Sequence, residues 1–424
     1  VVDKLNELWE LELDSEEEGE EGGAVGRQQR AALRRQRELY ERTVNSYYSQ
    51  NFYGEPSSHV AYRLVRDLTR ANNDYLWLAI LGMTSMYLEQ KLSKESLDRL
   101  SQFFQAEVAR FNQGGAGGTG GTGGVWKERG EVFGRKGFQF ALLEHWSLYE
   151  SMVHSSYLMA RMVLWQDRGV KQLHEFIHEI GISLAEAKQL YKYMPAEGQR
   201  KLDSCIFAAA EKFSLLEITY LSFARNLDFS APFMASDLVY VLTAALEAPP
   251  HPPLPYKQLG EHQVRCFWEA YDLLEAGAKE VGGRVEGVKE GLRVLMREAR
   301  SIMERDHVIT TNTLSIANVR GDSDHRLRFQ HPSALTRLAH LLRAILQKRK
   351  GGRSKPLVAN WIAAENELCV SVGVSGEQRH GLAGKFGEVA GKLGIEVDFD
   401  SFDTHIIVFK KDHLSAFIKE ISKA

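Results

Sequence analysis

Residues 75–83 form a nearly unbroken apolar run, and three polar residues, Asn72, Asn73 and Asp74, stand directly before it. The run is too short for a membrane span, which takes about 20 apolar residues. Asn72 or Asn73 suits an N-cap, and Asp74 suits the positive first turn of a helix. A helix apolar on nearly every face must be enclosed by protein. The pattern therefore predicts the central helix of a sizeable core.

Around it, residues 27–112 read as helices, one opened by Pro56-Ser57-Ser58 and another by Ser93-Lys94-Glu95-Ser96. Residues 138–246 carry apolar and aromatic side chains at helical spacing, as in FALLEHWSLYESMVHSSYLMARMVLW, and predict a helical domain. Its aromatic and Met content, including Trp146, Trp165, Met159 and Met162, exceeds what a lone bundle requires. Aromatics and Met are enriched in interface cores, so part of this surplus is expected to face a partner. A single helix is expected over 258–305. Beyond residue 303 the pattern changes, and VITTNTLSIANV, RLRFQ, PLVANWIAAE, LCVSVGV and THIIVFK have strand composition. Helical periodicity lies between them at 332–348, 378–393 and 412–424. This predicts a small domain of helices on a mixed sheet.

Two low-complexity stretches divide the chain. GGAGGTGGTGG at 114–124 contains a literal G-x-G-x-x-G at Gly115, Gly117 and Gly120. A dinucleotide fingerprint needs a strand before it and a helix opening at its end. Here a helical pattern precedes it, so a flexible linker is expected over 113–137. APPHPPLP marks a second linker at 247–257, where P-x-x-P at Pro249 and Pro252 reads as a rigid spacer. The expected organisation is 1–112, 138–246, a connecting long helix at 258–302, and 303–424.

At 424 residues and net charge -3, the average composition gives no nucleic-acid footprint. The distribution of charge says more. Residues 10–21, ELELDSEEEGEE, are a block of acid within an expected solvated linker at 10–26. Arg27, Arg30, Arg34, Arg35 and Arg37 follow as a block of base. Cys205, Cys266 and Cys369 lack disulfide or metal spacing, which fits a reducing compartment, cytosol or nucleus. No signal peptide or membrane span is visible, and the chain begins without Met, so an N-terminal region is expected to be missing.

The sharpest chemical motif is HEFIH at 174–178. H-E-x-x-H places His174 and His178 one turn apart, able to share a zinc, with Glu175 as general base. HEFIHEIGISL extends the match, but the third ligand position holds Leu184. Glu197 or Glu211 could be proposed instead without support. A capping account explains the same residues. Val170, Leu173, Ile177 and Ile180 form an apolar stripe flanked by the two His, Gly181 caps the helix, and Ser183 with Glu186 forms a capping box. No metal is expected there. Asp322, Asp324 and His325 have metal-type side chains without a second cluster, and Asp398 and Asp400 read as exposed strand-end carboxylates. Lys348, Arg349, Lys350, Arg353 and Lys355 form a basic loop that could meet phosphates or serve nuclear import, and that reads equally as a solvated loop.

RANNDYLWLAILGMTSMYLEQKL, LEHWSLYESMVHSSYLMARMVLW, QLHEFIHEIGISLAEAKQLY, FMASDLVYVLTAALE and HPSALTRLAHLLRAIL occur in a recognisable order. With the acidic block, they resemble the cell division control protein 45 family over nearly the whole chain. That family is similar to the RecJ-type DHH phosphoesterases. The resemblance implies an α/β fold with a large all-helical insertion: a partial DHH-like domain, a helical inserted domain at 138–246 and a C-terminal DHHA1-like mixed α/β domain. It implies a nuclear, non-catalytic scaffold of the eukaryotic replicative DNA helicase, joining the minichromosome maintenance ring and the GINS complex and contacting other replication-fork proteins. Single-stranded DNA contact through Lys348, Arg349, Lys350, Arg353 and Lys355 would fit that setting. No catalytic residue, metal or cofactor is implied. The metal-binding aspartates of active relatives fall in strands this chain does not contain, and no Asp-His-His tripeptide is present; Asp324-His325-Arg326 is the nearest. Arg379-His380-Gly381 departs from the Gly-Gly-His substrate element. The alternative from another class is a metal-dependent hydrolase, either a zinc protease at His174 and His178 or a residual phosphoesterase.

Overall fold

The computed structural model describes residues 35–36, 51–113, 130–194, 196–227, 232–250, 259–321, 323–349, 351, 355–363, 368–375, 379–380, 382–399 and 403–423. The acidic block, the basic block apart from Arg35, the glycine run and most of the proline-rich stretch lie outside them.

Strand β1 (Asn51–Phe52) precedes helices α1 (Ser57–Asp67), α2 (Asn73–Leu88) and α3 (Lys94–Gln113). Helix α2 answers the opening pattern. Asn72 is its N-cap, its Oδ1 accepting from the Tyr75 amide at 2.9 Å, and Asp74 sits in the first turn. Leu76, Trp77, Ile80 and Met83 are fully buried. Tyr75 and Leu78 are exposed, because the packing against α1 and α3 leaves one strip of the helix uncovered. The Ser93 hydroxyl accepts from the Ser96 amide at the start of α3, as expected.

Next come β2 (Val132–Phe138), α4 (Leu148–Val153), α5 (Ser156–Met162), α6 (Asp167–Glu179), α7 (Leu184–Ala187), α8 (Ala196–Lys212), β3 (Thr219–Arg225), β4 (Phe233–Met234) and α9 (Ala235–Leu246). Strands β2 and β3 pair antiparallel from Val132↔Arg225 to Phe138↔Thr219, and β4 joins the far side of β3. The stretch expected to be helical throughout thus contains strands, and the expected linker at 113–137 ends in one. TYLSFAR is rich in aromatic and β-branched residues, but seven residues of period-2 signal are easily lost between long helical runs.

The helix expected over 258–305 is two: α10 (Leu259–Glu275) and α11 (Ala278–Glu304). Gly277 interrupts them in an extended conformation and caps α11. Seven further strands and three helices follow as β5 (Val308–Thr310), β6 (Ser315–Gly321), α12 (Pro332–Arg349), β7 (Leu357–Ala363), β8 (Leu368–Val374), β9 (Arg379–His380), α13 (Leu382–Leu393), β10 (Asp398–Phe399), β11 (Ile406–Lys410) and α14 (Leu414–Ile421). Six of these strands form a mixed sheet in the order β10-β11-β8-β7-β6-β5, parallel only between β6 and β7. RLRFQ is a 3-10 turn and not a strand. Phe329 is buried, the Trp361 indole donates to the Arg326 carbonyl at 3.0 Å, and the Arg326 side chain pairs with Glu298 at 2.9 Å.

Helix α11 carries two cores. Its first half (Val281, Val285, Val288) packs with α2, α3, the β2–β3 ribbon and α9. Its second half (Val294, Leu295, Ala299, Ile302) packs with α6, α8, α12 and one face of the six-stranded sheet. The other face of that sheet is covered by α13 and α14 around Phe386 and Phe417. Residues 138–246 divide between the first two cores. Trp165, Met159 and Met162 lie in one and Trp146 in the other, each at most 5% exposed. These four side chains of the expected partner-facing surplus are therefore interior, whereas Tyr193 and Phe207 of the same stretch are exposed. The two ends of the described chain also meet. β1 pairs with β9, the Tyr53 hydroxyl donates to Asp403 at 2.6 Å, and Lys91 lies 3.4 Å from the same carboxylate.

Candidate functional site

HEFIH sits on α6 with Leu173, Phe176 and Ile177 buried beneath it. His174 is half-buried, its Nε2 3.5 Å from the Tyr149 hydroxyl and its ring tilted against the Tyr149 ring. Glu175 and His178 are exposed. The capping expectations hold. Gly181 follows the helix at φ +86°, and Ser183 and Glu186 exchange the two hydrogen bonds of a capping box. The side chain of Glu197 lies outside the described residues, and Glu211 is exposed near the end of α8. Among the described residues, no group of three or more His, Cys, Asp or Glu side chains converges.

The basic run splits on folding. Lys348 and Arg349 end α12, both exposed, with Arg349 3.0 Å from Asp306. The Lys355 ammonium donates to the Thr311 carbonyl at 2.6 Å, tying the entry of β7 to the β5–β6 turn. Lys350 and Arg353 lie outside the described residues, as do Asp322 and Asp400. Ser323 contacts His325 at 3.4 Å, and Asp398 is exposed on the edge strand β10, as expected.

A cavity of about 490 Å³ opens where α2, α5, α9, α11 and α12 meet. Lys94, Arg161, Arg337 and Arg343 line it, with Glu89 and Glu217. Its strongest pairing is fixed: Arg337 donates both guanidinium nitrogens to the buried Glu247 carboxylate, Nη1 to Oε1 at 2.7 Å. That carboxylate holds the Arg337 pKa above its ordinary value despite burial. The Tyr157 hydroxyl donates to the Leu216 carbonyl at the cavity wall.

A second cavity of about 160 Å³ is lined by Arg135, Glu144, Tyr191, Asp203 and Asp237. Asp237 is buried in the first turn of α9, and burial pushes its carboxyl pKa up to about 7. His145 Nε2 lies 3.7 Å from its Oδ2, and burial together with Lys289 and Lys192 pulls that imidazole down to about 4. Little in the sequence marks this pair. The only signal was a lone Asp in FMASDLVYVL, and an N-terminal helix Asp reads as a solvated cap.

No helix among the described residues is long and apolar enough to cross a membrane. What the fold defines is a mixed α/β protein with the architecture of a crystal structure of CDC45 from Entamoeba histolytica: TM-score 0.66 over 88% of this chain and 72% of that one, at 20% identity. The family model CDC45 matches residues 10–424, and the chain belongs to the CDC45 family. A Cell division control protein 45 homolog of Schizosaccharomyces pombe is 27% identical over 92% of this chain and 67% of its own length. The homolog of Homo sapiens is 24% identical over 92% of this chain and 69% of its own length. Cell division control protein 45 of Saccharomyces cerevisiae is 22% identical, covering 90% and 64%. The chain thus spans about two thirds of the length of these relatives. The family ties it to DNA replication and the cell cycle.

Proposed function

We propose that the chain is a non-catalytic scaffold subunit of the eukaryotic replicative DNA helicase, acting in the nucleus with the minichromosome maintenance ring and the GINS complex. The observation that carries this reading is the match of the family over residues 10–424. The mixed sheet with α13 and α14 on one face supports a DHHA1-like C-terminal part. Residues 51–113 then belong to the remainder of a DHH-like domain, and the helices of 138–246 to the insertion. A scaffold role also fits an interior in which α11 joins two cores and β1 clasps β9, since rigid relative placement of its parts is what a bridging subunit requires. The hydrolase alternative gains no geometric support at HEFIH, where His174 packs on Tyr149 and His178 points outward.

Affinity-tagged chain, expressed in eukaryotic cells, should co-purify with the helicase ring and GINS in S phase. Recovery of neither, from a chain shown to be folded by circular dichroism, would refute the reading. Deleting 138–246 is not a usable test, because it removes β3 and parts of two cores. Point variants on exposed positions are needed instead.

A further inference from the structure

Helix α10 is buried along one narrow side only, at Cys266, Ala270 and Leu273, where it rests on α9. On another side Val264, Phe267, Trp268 and Tyr271 stand 56%, 51%, 55% and 49% exposed. Their spacing of three and four residues puts them in one row. The rings of Phe267, Trp268 and Tyr271 contact one another, with centroids 5.3 to 6.4 Å apart, so the row is a preformed ridge. Single exposed apolar residues are ordinary, but a contiguous aromatic row marks an interaction site.

The surroundings indicate what it binds. The described part of α10 carries Glu261, Glu269, Asp272 and Glu275 against Arg265 alone. Helical spacing places Glu261 one turn before the ridge, Glu275 one turn after it, and Asp272 along its flank. The Glu269–Arg284 ion pair at 3.7 Å shows that the acidic flank faces the first half of α11. There Gly283 and Gly287 are one turn apart, and nothing lies within 4 Å of where their Cβ atoms would be. Each glycine costs a helix about 1 kcal/mol relative to alanine, and no neighbour among the described residues demands them. Open glycines let another backbone approach closely.

We propose that the aromatic ridge of α10, with its acidic border and the open glycines of α11, docks a basic amphipathic helix of a protein partner. An apolar row on that helix covers Phe267 and Trp268, and its Lys and Arg side chains meet Glu261, Asp272 and Glu275. A second copy of this chain would bring the same acidic border against itself, and the acidic block at 10–21 would be repelled. This inference is independent of the helicase assignment.

The test uses two labelled probe peptides of about 20 residues, identical Leu-containing amphipathic helices flanked by Lys in one and by Glu in the other. Fluorescence anisotropy with the full chain should show the Lys peptide binding at least tenfold more tightly than the Glu peptide. Phe267→Ala with Trp268→Ala should weaken it at least tenfold with the melting curve unchanged, as expected for exposed positions. Glu261→Lys, Asp272→Lys and Glu275→Lys together should reverse the preference. Equal binding of both peptides, or binding unaffected by the aromatic substitutions, would overturn the proposal. So would concentration-dependent dimerisation abolished by Trp268→Ala, which would make the occupant a second copy. Probe binding that appears only when Arg27, Arg30, Arg34, Arg35 and Arg37 are replaced by Ser would also overturn it, because the chain's own basic segment would then be the occupant.

Discussion

Asp237 and His145 form a buried pair whose titrations oppose each other. A carboxyl raised from 3.8 to about 7 contributes stability that is present at low pH and lost as pH rises toward 7. An imidazole lowered from 6.5 to about 4 contributes stability that is present at neutral pH and lost as pH falls toward 4. Between pH 4 and 6.5 the folded pair holds one proton and the unfolded pair also holds one, so their joint pH dependence cancels. Asp237→Asn should unmask His145, with the unfolding free energy rising from pH 4 to 6.5 by up to about 1.4 kcal/mol per pH unit. His145→Gln should show the opposite slope, stability falling from pH 4 to 7. Urea titrations at several pH values check both. If the single variants keep the slope of the parent chain, the two groups do not titrate as described.

At the level of elements, close approaches matter as much as periodicity. Gly169, in the first turn of α6, has no room for a methyl group. An added Cβ would lie 2.2 Å from the Val163 carbonyl oxygen and 2.4 Å from that of Met162. Backbone cannot swing aside as a side chain can, so Gly169→Ala should cost about 3 kcal/mol or more, at the upper end for overpacking. Gly134→Ala, where the same test finds open space, is the control and should lower the melting midpoint far less. The sequence did not announce Gly169, since a lone glycine near a helix start reads as a weak N-terminal preference. Long periodic elements were legible: α2 with its Asn72 cap, the capping box at Ser183 and Glu186, and α12 all follow from spacing and polar caps. The β2–β3 ribbon and the break at Gly277 were not, because a short strand between helices and a single extended residue leave little periodic trace. The ridge on α10 was hidden for another reason. Its pattern is that of any amphipathic helix, and only the fold decides which apolar row faces inward.

For the whole molecule, the question left by the sequence is whether the basic run at 348–355 serves as a contact for nucleic acid. Folding separates its members by role. Lys355 is committed to the Thr311 carbonyl, where it holds two strand ends of the six-stranded sheet together. Arg349 pairs with Asp306 at the surface, a weak and salt-sensitive contact that adds little to stability. Lys348 is exposed with no such contact among the described residues, and Lys350 and Arg353 lie outside them. If the run meets single-stranded DNA, each neutralised phosphate contributes about 0.7 to the slope of log affinity against log salt. Replacing Lys348, Lys350 and Arg353 with Ser should therefore flatten that slope by about 2, with sequence preference unchanged because phosphate contacts position without specifying. The melting midpoint should hardly move, since exposed substitutions usually stay within about 0.5 kcal/mol. Lys355→Ser should do the reverse, leaving the slope in place while costing about 1 to 2 kcal/mol from a lost charge-assisted hydrogen bond. The two outcomes divide a binding role from a structural one within eight residues. Equal salt slopes for the triple variant and the parent chain would remove the run from any DNA interface.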